Sequence, residues 1–108
     1  MALNRIDSAN ETIISINGSA QISEVESLAT ELAAVLDLTT RLVTLDLNGT
    51  EELDITFYQL ILVFNNDLVK QGRQLIVRTL PSDHVVMTKA SQLGIKLEHY
   101  LTLPSPIL

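Results

Sequence analysis

The residues best placed to do chemistry are Asp54 and Thr56, a carboxylate and a hydroxyl separated by Ile55, where an alternating apolar run gives way to helical spacing. The first backbone N–H groups of a helix have no partner and the local potential there is positive. An aspartate at that point caps them, and an anion near the first turn is stabilised. Thr56 therefore has two readings: an ordinary first-turn residue bonding locally to backbone, or a hydroxyl that accepts a phosphoryl group at a helix terminus. Asp46, at a strand end, is read as satisfied by a nearby backbone N–H, and Glu51 and Glu52 as solvated loop charges. His84 and His99 share no metal-ligand spacing and cysteine is absent, so neither a metal nor any other cofactor is predicted. The sequence has no glycine-rich phosphate loop, nucleophile elbow or paired general acid and base. No catalytic residue is assigned, and the expected role is non-enzymatic.

The elements that position these groups follow from periodicity. Leu3 to Asp7 and Glu11 to Asn17 read as strands that pair as an antiparallel hairpin. After Asn17-Gly18, Ile22, Val25, Leu28, Ala29, Leu32 and Leu36 recur at helical spacing, which predicts a first helix over Ser23 to Leu36, opened by a Ser23/Glu26 capping box. Arg41 to Leu47 is apolar enough to be a central strand covered on both faces. A second helix is expected over Asp54 to Gln71, with Phe57, Leu60, Ile61, Phe64 and Leu68 on its core stripe and Gly72 ending it. Tyr58 and Leu62 lie off that stripe, and either form a partner patch or meet a second packing neighbour. Gln74 to Thr79 reads as a third buried strand. Pro81-Ser82-Asp83 opens a third helix carrying Val86, Ala90 and Leu93 before Gly94, and Lys96 to Leu101 reads as a final strand. Strands alternating with helices predict an α/β fold with a mixed sheet.

Composition narrows the functional classes. A chain of 108 residues, 46% of them hydrophobic and 19% charged, is expected to form a single packed domain over 1–108, with a core at about 3–101 and an extended tail at 102–108. Its net charge of −6 and lack of a basic cluster disfavour nucleic acid. The opening MALNRIDSANE does not read as a signal peptide. The longest apolar stretch, Phe57 to Phe64, is interrupted by Gln59 and falls well short of the roughly 20 apolar residues a spanning helix needs. No membrane insertion is expected, and with cysteine absent the simplest setting is cytoplasmic.

The order of elements, the run LDL at 45–47, Asn48-Gly49, and an acidic residue ahead of a hydroxyl at the head of the second helix together resemble the STAS domain. That family is shared by anti-sigma-factor antagonists and sulfate transporter tails. The resemblance spans residues 3–101 and takes in GRQLIV at 72–77 and PSDHVVMTKASQLGI at 81–95. It implies a single STAS-like α/β domain, a mixed sheet of four to five strands with helices packed against it. The implied role is a regulatory protein–protein interaction module that works by partner switching in bacterial signalling and transcription regulation. On this register Asp54 takes the acidic position and Thr56 that of the phosphoacceptor, with an anti-sigma-factor kinase or another signalling protein as partner. Asp54, Thr56, Tyr58 and Leu62 are the implied contact residues. The chain departs from the antagonist pattern at Ile55, where a second hydroxyl residue is usual, and at Phe57, where glycine is usual. A bulky Phe57 and an exposed Tyr58 favour the alternative: a constitutive, unphosphorylated STAS-like subunit of a membrane-associated complex such as a lipid transporter. The sequence also stops before a final helix carried by many members, which leaves room for a second copy in a homodimer.

Overall fold

The computed structural model describes residues 2–97, which form one mixed sheet and three helices. Strand β1 (Ala2–Asp7) pairs antiparallel with β2 (Glu11–Ala20), as the alternation predicts, and the turn is closed by Ser8 donating to the Glu11 carbonyl from both its N–H and its hydroxyl. Helix α1 (Ile22–Leu36) leads to β3 (Leu42–Asp46), which lies parallel to β2 and between it and β5 (Gln74–Val77). Helix α2 (Ile55–Lys70) joins β3 to β5 by way of a short strand, β4 (Thr50–Leu53), and α3 (Val85–Gln92) follows β5.

Cross-strand register explains where the core lies. Thr12, Val43 and Leu75 form one row across the sheet and Ile14, Leu45 and Val77 the next, and all six are buried beneath the helices. Side chains alternate faces along a strand, so these rows define the helix-covered side. The other face carries the row Ile6, Ile13, Thr44 and Ile76 and is only partly covered, with Ile6 65% exposed. The expectation that the central strand is covered on both faces holds at its middle: helices cover Val43 and Leu45 on one face, and Thr44 is buried on the other beside Glu11, to which its hydroxyl donates.

Several boundaries differ from those expected, each for a physical reason. Strand β2 runs on to Ala20 because Asn17-Gly18 is not a turn. Gly18, at φ 82, sits where the pairing register shifts, a conformation that glycine adopts readily, and β2 then takes up parallel pairing with β4. Strand β4 was not legible, since two acidic residues in four give low β-propensity and it is pairing with β2 that makes it a strand. Glu51 and Glu52 are exposed, as charges should be, but they sit on this strand and not in a loop.

The capping-box expectation is also corrected. Helix α1 starts at Ile22 with Gln21 as its N-cap and no side-chain capping bond, so Ser23 falls inside the first turn. Helix α2 starts and stops as expected, with Asp54 and Gln71 as caps and Gly72 at φ 73 beyond them. Strand β5 ends at Val77, two residues early, and forms an edge of the sheet among the described residues. Helix α3 starts later than Pro81-Ser82-Asp83, and Leu93 lies beyond its end at 38% exposure, outside the core. Lys96 and Leu97 are not in a strand; the rest of the expected final strand, His99 and the tail lie outside the described residues.

Candidate functional site

Strand β4 delivers the chain to the candidate site. Leu53 pairs with Ala20 and is buried, and the next residue, Asp54, is extended at φ −134, ψ −175, so its side chain folds back over the start of α2. One carboxylate oxygen of Asp54 accepts both the Thr56 backbone N–H, at 3.0 Å, and the Thr56 hydroxyl, while the Asp54 carbonyl accepts from Phe57 N–H at 3.2 Å. The proton of the Thr56 hydroxyl is thus committed to Asp54, which fixes its rotamer and leaves the lone pairs of a half-buried oxygen as its remaining function.

The flanking residues point opposite ways. Ile55 is 46% exposed beside Thr56, whereas Phe57 is buried in the core and packs edge-to-face on Tyr58 with ring centroids 5.7 Å apart. The bulk of Phe57 is therefore directed inward, and its side chain does not crowd the Thr56 surface. Tyr58 requires a correction: it is buried, not exposed, and its hydroxyl donates to the Val86 carbonyl of α3 at 2.6 Å. Burial pushes its phenol well above the ordinary range. The second packing neighbour left open by the sequence is α3, which explains the position of Tyr58 off the core stripe of α2. Leu62 is half-buried, and with Ile55, Tyr58 and Gln59 it lines one side of an open groove whose other side is Gly94 to Lys96. The structure thus brings Asp54, Thr56, Ile55 and Leu62 to one end and side of α2, with Tyr58 beneath them.

A second polar cluster stands at the carboxyl ends of β3 and β5, where sequence reasoning saw only Asp46. One Asp46 oxygen accepts from the Asn48 backbone and side chain at 3.0 and 2.9 Å, and the other from Arg78 at 3.2 Å. Burial works against the charged carboxylate, but the two Asn48 donors and the Arg78 guanidinium outweigh it and hold the pKa below its ordinary value of 3.8. Nearby, Nδ1 of His84 accepts the Val86 N–H at 3.1 Å, so Nε2 carries the proton and donates to the Asn48 carbonyl at 3.0 Å. His84 is the N-cap of α3 and ties that helix to the turn after β3. Its capping role had a faint sequence signal in the apolar run that follows it, but its bond to Asn48 had none.

A mixed sheet with its parallel strands joined through helices that cover one face is a fold of the STAS type. Solved structures agree. An anti-sigma factor antagonist from Mycobacterium paratuberculosis superposes with a TM-score of 0.80 over 98% of this chain and 86% of its own, at 15% identity. The Bacillus cell fate determinant SpoIIAA, in its phosphorylated form, gives 0.69 over 96% of this chain and 92% of its own, also at 15% identity. The STAS domain of a SulP transporter from Vibrio cholerae gives 0.53 over 92% and 77%, at 16% identity. At such identities the likeness is one of fold. No family model and no curated protein matches the sequence.

Proposed function

We propose that this chain is a regulatory STAS module that acts by binding another protein through the exposed start of α2, and that phosphorylation of Thr56 releases that partner. The observation that carries the reading is the Thr56 hydroxyl itself. It stands in the first turn of a well-formed helix, held by Asp54, with an apolar neighbour, Ile55, beside it on the surface. A phosphoryl group there adds about −1.5 to −2 charge next to Asp54 and Ile55, which is sufficient to break an apolar or acidic docking contact. The likeness to an antagonist structure and to a phosphorylated SpoIIAA supports a switch of this kind, with an anti-sigma-factor kinase or a related signalling protein as partner. The action is binding, without turnover, in a bacterial cytoplasm. The two features that favoured a constitutive transporter subunit, a crowding Phe57 and an exposed Tyr58, are not features of this surface, because both rings are buried.

The test is a pull-down from native extract with wild-type, Thr56→Ala and Thr56→Glu baits, together with the mass of the Thr56 peptide. The switch predicts a kinase-like partner on wild type and Ala, at least tenfold less of it on Glu (about 1.4 kcal/mol), and a phosphorylated peptide. One unchanged partner on all three baits with no modified peptide would replace the switch with a constitutive subunit.

A further inference from the structure

We infer that the outward face of α2 is the interface of a homodimer, in which two copies of the helix pack antiparallel about a two-fold axis between Leu62 and Val63. Ile55, Gln59, Leu62, Val63, Asn66 and Val69 recur at three- and four-residue spacing and so share one side of the helix. Ile55, Val63 and Val69 are 46%, 58% and 59% exposed, three of the five large apolar side chains most open to solvent among the described residues. None of the six is charged, although the chain carries a net charge of −6. The outer side of α1, by contrast, presents Glu26 and Glu31. A second copy approaching along this face of α2 meets uncharged side chains, where along α1 it meets like charge.

The face is also complementary to itself. About that axis Leu62 meets Val63 of the second copy at the centre. On either side Gln59 meets Asn66, two carboxamides that each donate and accept. At both ends Ile55 meets Lys70, which is exposed in the last turn of α2 and brings its ammonium to the end of the neighbouring helix that Asp54 caps. Opposite charges thus fall together twice, once at each end, and the antiparallel helix dipoles oppose each other favourably. Parallel packing would instead place Lys70 beside Lys70. An isologous contact of this kind closes at two copies, so it yields a dimer and not a fibre. The dimer needs no modification of Thr56, but the same two-fold sets Val69 opposite Thr56 at the margin of the interface. The interface shares Ile55 and Leu62 with the partner surface, so self-association and partner binding draw on the same helix.

Sedimentation velocity of the full chain from micromolar to near-millimolar concentration reads the association directly. Wild type is expected to shift from monomer to dimer. Val63→Glu, an exposed substitution that places two carboxylates beside the axis, is expected to raise the dissociation constant by about tenfold or more with an unchanged far-UV spectrum. Because the chain has no cysteine, Val63→Cys supplies a single thiol next to the axis, and Ser91→Cys on α3 supplies a control away from it. Mild oxidation should cross-link the Val63→Cys protein at a concentration where the Ser91→Cys protein stays monomeric. A wild type that is monomeric throughout, a dimer indifferent to Val63→Glu, or equal cross-linking at both positions would each overturn the inference. The first of these results would leave the face to a different protein helix.

Discussion

At Asp54 a single carboxylate oxygen secures two donors of Thr56, so helix capping and placement of the hydroxyl are one act. The sequence announced this because an N-cap and its partner are two residues apart and depend on little else. Asp46 is the counterpart that it announced only in part: Asn48 is local, but Arg78 arrives from the end of β5. Its carboxyl is held below 3.8 in the folded protein, so the folded state favours the ionised form more than the unfolded chain does. The resulting stability is present above the ordinary carboxylate pKa and is lost as pH falls through the lowered one. Asp46→Asn should therefore lower the urea midpoint near neutral pH, and its difference from wild type should shrink as pH is taken below that ordinary value. A difference that stays constant down to the lowest pH would mean the carboxylate charge contributes nothing. Tyr58 marks the limit at this scale, since its hydroxyl partner lies 28 residues away in a helix whose position the spacing in α2 does not encode.

Among the elements, the helices were legible over nearly their full lengths and the strands less so. A 3.6-residue period repeated for four turns in α2 is a strong signal, whereas four residues with an acidic centre, as in β4, become a strand only because β2 offers them a partner. The joints between elements follow the same division. Gly72 in its left-handed cap was expected, but the neighbouring Arg73 was not. Its guanidinium is buried and donates to the Thr40 carbonyl at 2.6 Å, the Val35 carbonyl at 3.1 Å and the Thr40 hydroxyl at 3.2 Å. Arg73 thus ties the C-terminal end of α1 and the loop after it to the start of β5, and the Val35 carbonyl lies where a helix dipole favours a cation. Arg73→Leu leaves the buried Thr40 carbonyl without its donor, while the Val35 carbonyl keeps Leu38 N–H and the Thr40 hydroxyl keeps Thr12, and it should cost about 1–3 kcal/mol in chemical denaturation. Arg73→Lys should recover part of that, because one ammonium cannot reach all three oxygens. Equal stability of the Arg73→Leu and wild-type proteins would show that water serves the Thr40 carbonyl as well as the guanidinium does.

For the molecule as a whole, β2 is the organising element. It takes β1 on one side, and pairs in parallel with β3 and then β4, and its Ile14 and Ile16 lie in the core. Amide exchange should accordingly be slowest in β2 and β3 and faster by orders of magnitude in β1, an edge strand, and in the two-turn α3. Protection of β1 equal to that of β3 would mean that its outer edge is itself paired, as in a larger assembly. The α/β class, the succession of hairpin and helices, and the Asp54-Thr56 helix start could all be read from the chain alone, because each rests on spacing within one segment. That Glu51 and Glu52 sit on a strand, that Tyr58 turns inward, and that His84 and Arg73 serve backbone atoms far along the chain came only with the folded arrangement. The physical reason is that pairing and burial draw free energy from partners distant in sequence. A period read along one segment shows which face of it is buried, but not what lies against that face.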